Sequence, residues 1–176
     1  MAPHHRRLTA WTTLILLAMV VGVAVAAPYV RRVRVVSDEE KSLARIEKVA
    51  LVISALPEEA TRGGLRKEKI RAQIKAKLVE IGYQVIADAR ATPRLVVTVQ
   101  VKSDSASPDS LAVIVFLDVQ QKVRVHRLDS DLVVPTATIS ELALAGKKNV
   151  AKIVKDAAEA AVTRFKQYEE NGSKQL

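Results

Sequence analysis

Acid–base and metal-binding residue types are sparse in this chain and spread apart. Its three histidines are His4, His5 and His126. His126 lies between Val125 and Arg127 at the end of a strand-like pattern. A general base or ligand there would need a second group, and no cysteine or neighbouring histidine supplies one. His4 and His5 belong to a basic lead ahead of an apolar run and are not placed as buried ligands. Asp129 and Asp131, together with Asp104 and Asp109, carry the oxygen donors a hard cation prefers. The Asp129-Ser130-Asp131 stretch nevertheless lacks the further donors and the glycine spacing of an EF-hand, and its composition is that of a turn. Glu58 and Glu59 sit where a helix would begin, so their charge complements a helix N-terminus rather than forming an acid–base pair. Gly63-Gly64 lacks the lysine and hydroxyl of a phosphate loop and the glycine spacing of a dinucleotide site. The absence of cysteine excludes disulfides, thiolate nucleophiles and Cys-ligated zinc or iron–sulfur centres. The expectation is a protein that is not an enzyme, with no catalytic residue, no cofactor site and no metal site.

Net charge points to partners only where it is clustered. The chain carries +9 at neutral pH with a pI near 9.9, yet aromatic residues make up only 3% and offer few stacking platforms for single-stranded nucleic acid. The densest basic stretch, residues 62–77 with Arg66, Lys67, Lys69, Arg71, Lys75 and Lys77, spreads around the solvated side of a helix. No nucleic-acid partner is expected. Arg31, Arg32 and Arg34 follow an apolar run directly and could meet anionic lipid headgroups, at about 1 kcal/mol per basic residue.

That apolar run decides where the domain sits. Residues 11–30 come to about the 20 residues that a membrane-crossing helix needs, with Trp11 and Tyr29 placed for the two interfaces. The run has no polar face, which argues against a helix buried in a soluble core. A second device fits the same residues: the short lead with Arg6 and Arg7, the apolar centre over 14–23, and Ala24-Val25-Ala26 before Ala27 have the order of a cleavable export signal. The basic residues after the run resist translocation, whereas a long domain can be exported despite them. The expected arrangement is an anchor or uncleaved signal over 1–30, a basic and polar linker over 31–47, a domain over 48–171 and a tail over 172–176. In a bacterium this would be a single-pass inner-membrane protein with a periplasmic C-terminal domain.

With 49% hydrophobic and 27% charged residues, the remainder has the composition of one ordinary domain, long enough for a core without staples. Residues 49–53 form a short apolar run ended by Pro57, the pattern of a central strand. Leu65, Ile70, Ile74, Leu78 and Ile81 recur at helical spacing up to Gly82. A short strand is predicted over 83–87. After Pro93, Leu95, Val97, Val99 and Val101 alternate with Val96, Thr98, Gln100 and Lys102, as in a strand with one solvated face. Residues 103–110 read as a turn-rich connection, 111–125 as a long strand, and 132–144 as its antiparallel return after a turn at 129–131. Pro135 places an edge or a gap in that return. Asn149 can cap a last helix whose face is Val150, Ile153, Val154, Ala157, Ala161, Phe165 and Tyr168, ended by Asn171-Gly172. The order predicts an α+β fold: an N-terminal transmembrane helix, then a two-layer domain with an antiparallel sheet and two helices on one face.

Gly64-Leu65-Arg66, Lys77-Leu78, Gly82-Tyr83-Gln84-Val85 and Leu95-Val96-Val97-Thr98-Val99 together resemble small exported bacterial proteins of uncharacterised function. The resemblance covers about residues 64–101. The chain departs from that pattern at Pro93-Arg94, where such proteins often carry Ala-Asp, and it lacks the lipoprotein cysteine many of them have. The resemblance implies no catalytic residue.

A domain with no visible chemistry, held at a membrane, suggests an accessory or structural subunit that docks onto a larger inner-membrane complex. Its expected partners are membrane lipid and a membrane-protein complex. Electron-transfer and photosynthetic assemblies often carry small single-span subunits and are the general class this brings to mind. The alternative is a cleaved periplasmic or secreted module that binds a peptide or apolar ligand. An enzyme built from carboxylates that meet only in the fold is a third possibility.

Overall fold

The computed structural model describes residues 36–104 and 107–174. They form a unit of their own beginning at Val36. The proposed span over 11–30 and the interface residues Trp11, Tyr29, Arg31, Arg32 and Arg34 lie outside the described residues.

The chain enters the domain earlier than its charge pattern suggests. Helix α1, Asp38–Ser42, starts with a capping box: Glu40 N donates to Ser37 Oγ at 3.1 Å, and Ser37 N donates to Glu40 Oε2 at 3.1 Å. Val36, Leu43 and Ile46 are buried around it. Residues 36–47 therefore belong to the domain, which corrects their reading as linker: three apolar residues among many charged ones suffice to fasten the segment once a surface is present for them.

Strand β1, Lys48–Ile53, follows, then a short helix α2, Glu58–Arg62, and the longer α3, Lys67–Glu80. Ile70, Ile74 and Leu78 of α3 are fully buried, as their spacing predicts. Gly82 takes φ +98° just past the helix, a conformation that a side chain would strain. Strands β2, Gln84–Ile86, β3, Arg94–Asp104, β4, Ser107–Val125, and β5, Ser130–Gly146, complete one five-stranded sheet in the order β2-β1-β3-β4-β5.

The sheet is mixed rather than antiparallel. β1 runs parallel to both β2 and β3, while β3, β4 and β5 are antiparallel in sequence. The helices between β1 and β2 cause the difference, because a helical crossover returns the chain in the same direction. The central position of β1 explains why Val49, Ala50, Leu51 and Ile53 are all buried. Residues 103–110, expected as a loop, are largely strand, with Asp104 opposite Ser107. Their turn-forming residues are carried in the ends of a long hairpin.

Helix α4, Val150–Ser173, is 24 residues, or about 36 Å, long. It lays Val150, Val154, Ala157, Ala158, Ala161, Val162 and Phe165 on the sheet. Asn149 precedes it but makes no side-chain capping bond, and the helix runs through Asn171 and Gly172 to Ser173 rather than stopping there. α3 lies beside it, with Gln73 Nε2 donating to Glu159 Oε1. The alternate residues Leu95, Val97, Val99 and Val101 of β3 and Leu111, Val113, Val115, Leu117 and Val119 of β4 meet both helices in one core. The two helices thus cover one face, as expected.

Candidate functional site

The acidic residues that could have formed a cation site are dispersed by the β4–β5 hairpin. His126 opens a 3-10 turn, His126–Leu128, at the hairpin tip and is exposed. Asp129 takes φ +45° beside it, the left-handed geometry that aspartate tolerates in turns. Arg124 Nη2 pairs with Asp129, and Lys122 Nζ lies 2.7 Å from Asp131 Oδ2. The Lys122 hydrogen bond, aided by Arg124, holds the Asp131 carboxyl below its ordinary range. Asp109 lies instead near the Ser110–Gly146 end of the hairpin, where Lys147 is 3.6 Å away. The register puts fifteen residue steps of β4 between Ser110 and Val125, so these carboxylates are about 50 Å apart and share no site. Glu58 pairs with Arg62 at 2.7 Å in the solvated first turn of α2. Gly64 ends that turn at φ +83°, and Gly63 packs where a Cβ would meet Val150 Cβ at 3.5 Å. Among the described residues no group of three or more His, Cys, Asp or Glu is placed to hold a metal.

The polar groups that do converge are ones that sequence reading passed over. They lie where the end of α4 meets α1. Asn171 Nδ2 donates to Glu40 Oε1 at 3.1 Å. A Cβ on Gly172 would come within 2.0 Å of the Glu40 carbonyl oxygen, so only glycine fits. Arg45 N donates to Ser173 Oγ at 3.2 Å, and Ser173 Oγ donates to Glu169 Oε1 at 2.7 Å. Glu169 Oε2 accepts from Lys166 Nζ at 2.8 Å. Burial opposes the charge on Glu169, but hydrogen bonds from Lys166 and Ser173 and the lysine charge outweigh it, so its carboxyl titrates below the usual range. Tyr83 is buried next to this group, its ring 5.0 Å from that of Phe165 and 5.3 Å from Lys166 Nζ. Burial, reinforced by the Glu169 charge, pushes its phenol up and keeps it neutral. Both Glu169 oxygens are engaged, and the cluster ties α1 and Arg45 to the end of α4.

The second feature is the sheet face away from the helices. Cross-strand partners share a face, so Gln100, Ile114 and Leu142 form one row, Lys102, Ala112 and Leu144 the next, and Thr98, Phe116 and Ser140 a third. Leu142 and Leu144 are 71% and 77% exposed, and Ile114 and Phe116 are half-buried. Sequence reading took residues 111–125 as one long strand and assigned no open face to it. The missed signal was apolar residues on both phases of β4, matched by leucines on the open phase of β5. None of the described helices is long and apolar enough to cross a membrane.

These elements define the class: a two-layer α+β domain, with a mixed five-stranded sheet packed by a long C-terminal helix and, among the described residues, exposed leucines on its other side. No protein-family model and no curated protein matches the chain. Among solved structures it is similar to a minor lipoprotein from Acinetobacter baumannii, at 12% identity and a TM-score of 0.39, over 74% of this chain and 96% of that one.

Proposed function

We propose that this protein is a non-enzymatic, membrane-anchored accessory subunit whose extracytoplasmic domain docks onto a larger inner-membrane complex. The observation that carries the reading is the open sheet face with Leu142 and Leu144: the domain offers an apolar surface while its converging polar groups are spent on holding its own ends together. The apolar run over 11–30 supplies the anchor, and Arg31, Arg32 and Arg34 the contact with anionic headgroups. On this reading the role of the fold is to present that apolar surface to a neighbouring subunit.

Crosslinking in native membranes followed by mass spectrometry, paired with native separation after detergent extraction, tests it. The protein should co-migrate with a large assembly and crosslink to its subunits through residues of the sheet; a free monomer in membranes that contain those neighbours would sink the proposal. One observation favours a second reading, since Ala24-Val25-Ala26 before Ala27 has the form of a cleavage site. In that case the domain is a released periplasmic module that binds a peptide or apolar ligand. Intact mass separates the two: an N-terminus at Ala27 supports release, and retention of Met1 or Ala2 supports the anchor.

A further inference from the structure

β5 is an edge strand, and its two halves are treated differently. The first half is guarded. Pro135 cannot donate to a neighbouring strand, and the pairing of Val119 with Ala137 and of Gln120 with Pro135 leaves Thr136 as a bulge. α1 also closes over this half, where Ser42 Oγ donates to Thr136 O at 3.4 Å and Gln121 Nε2 bridges Ser42 O and Thr136 Oγ1 at 2.7 and 3.0 Å. From Ser140 to Gly146 the strand is regular and contains no proline, lysine or bulge. Arg164 Nη1, reaching from α4, makes a long 3.5 Å contact with Ser140 O, which shows that this carbonyl faces away from β4. Backbone direction alternates along an antiparallel strand, so the N–H and C=O groups of Leu142 and Leu144 face outward as well. The most exposed leucines among the described residues therefore lie at positions whose backbone N–H and C=O groups point away from β4.

We infer that this edge pairs antiparallel with β5 of a second copy of the chain, about a two-fold axis at Ala143. The sequence is self-complementary about that point. Leu142 stands opposite Leu144 of the second copy, Glu141 opposite Ala145, and Ser140 opposite Gly146, so each larger residue meets a leucine or a small residue. Charge fixes the register. The one ionic residue in the stretch, Glu141, is paired within its own chain by Arg164 Nη2 at 3.0 Å and meets alanine in this register, whereas a shift of the axis to residue 141 would set the two glutamates face to face. Four leucines then adjoin on the open face, continuous with Ile114 and Phe116 of each copy, and the two sheets become one ten-stranded sheet. The pairing does not depend on the accessory-subunit reading, because it needs only the edge.

The chain has no cysteine, so Ala143→Cys in the full-length protein in its membrane places a single thiol on the axis. Residues facing each other at such a non-hydrogen-bonded position have Cα atoms about 4.5 Å apart, within disulfide range. Mild oxidation should yield a crosslinked homodimer, while the control Val79→Cys, exposed on α3, should not. Sedimentation of the otherwise unaltered full chain in density-matched detergent gives an independent measurement: a concentration-dependent dimer whose dissociation constant rises at least about tenfold in Leu144→Lys. Either result supports the pairing. It is overturned if Ala143→Cys crosslinks no faster than Val79→Cys and the chain sediments as a monomer, or if the thiol captures a different protein instead. Co-migration with a larger complex, with neither the homodimer crosslink nor a dimer in sedimentation, would defeat this inference and leave the accessory-subunit proposal standing.

Discussion

Gly172 shows how one residue can be fixed by a partner more than a hundred positions away. Nothing in the local sequence demands glycine inside α4, where it lowers helix stability, but the Glu40 carbonyl occupies the place of a side chain. Gly172→Ala should therefore destabilise the domain by about 1–3 kcal/mol, although alanine is the better helix former, as read from the urea midpoint. Glu169 makes a pH prediction. Its carboxyl titrates lower in the folded protein than its unfolded value of about 4.3, so between the two values the unfolded chain binds more protons. The stabilisation is complete above that unfolded value and is lost as pH falls through the folded one. The stability gap between the unaltered protein and Glu169→Gln should accordingly be largest near neutrality and close in acid. Asp131 shifts in the same direction, so the comparison must be made between the two proteins rather than on one titration curve. A gap that stays constant from neutral to acid pH would contradict this account.

At the scale of elements, α3 was legible from its own residues, because a helix that covers a sheet must repeat apolar side chains at three- and four-residue intervals. Ile74 is buried in the core and Val79 is 56% exposed on the same helix. Ile74→Ala should cost about 2–5 kcal/mol and Val79→Ala less than about 0.5 kcal/mol in chemical denaturation. The strand alternation over 95–101 was legible for the same reason, with a period of two. The direction of β1 was not, because parallel and antiparallel neighbours use the same residues and differ only in which distant strand pairs with them. α1 was half visible: Ser37 and Glu40 mark a helix start, but its docking rests on Gln121 and Asn171, far along the chain. Gln121→Ala removes the bridge to Ser42 and Thr136 and should speed amide exchange over residues 36–46 selectively, with a loss of about 0.5–1.5 kcal/mol in global stability.

For the molecule as a whole, charge is divided unevenly. Beyond residue 34 there are 23 Lys and Arg against 19 Asp and Glu, so more than half of the net +9 belongs to the N-terminal segment. On the anchored reading, replacing Arg31, Arg32 and Arg34 with alanine should weaken association with anionic vesicles by about 1 kcal/mol per residue at low salt, and leave neutral vesicles unaffected. Cosedimentation measures both, and equal binding of the altered and unaltered chains to anionic vesicles would remove the headgroup role.

The sequence by itself determined the sheet-and-helix composition, the spans of α3 and most of α4, and the buried phase of β3. Each follows from a local periodicity or a stop signal such as Gly82. Only the tertiary structure decided the mixed sheet, the inclusion of residues 36–47, the clamp of Glu40, Asn171, Gly172 and Glu169, and the open face with its unguarded edge. These depend on which remote segments become neighbours, and that choice is made by the summed burial of the core. The hydrogen bonds and close contacts that result leave no spacing for a reader of the sequence to find.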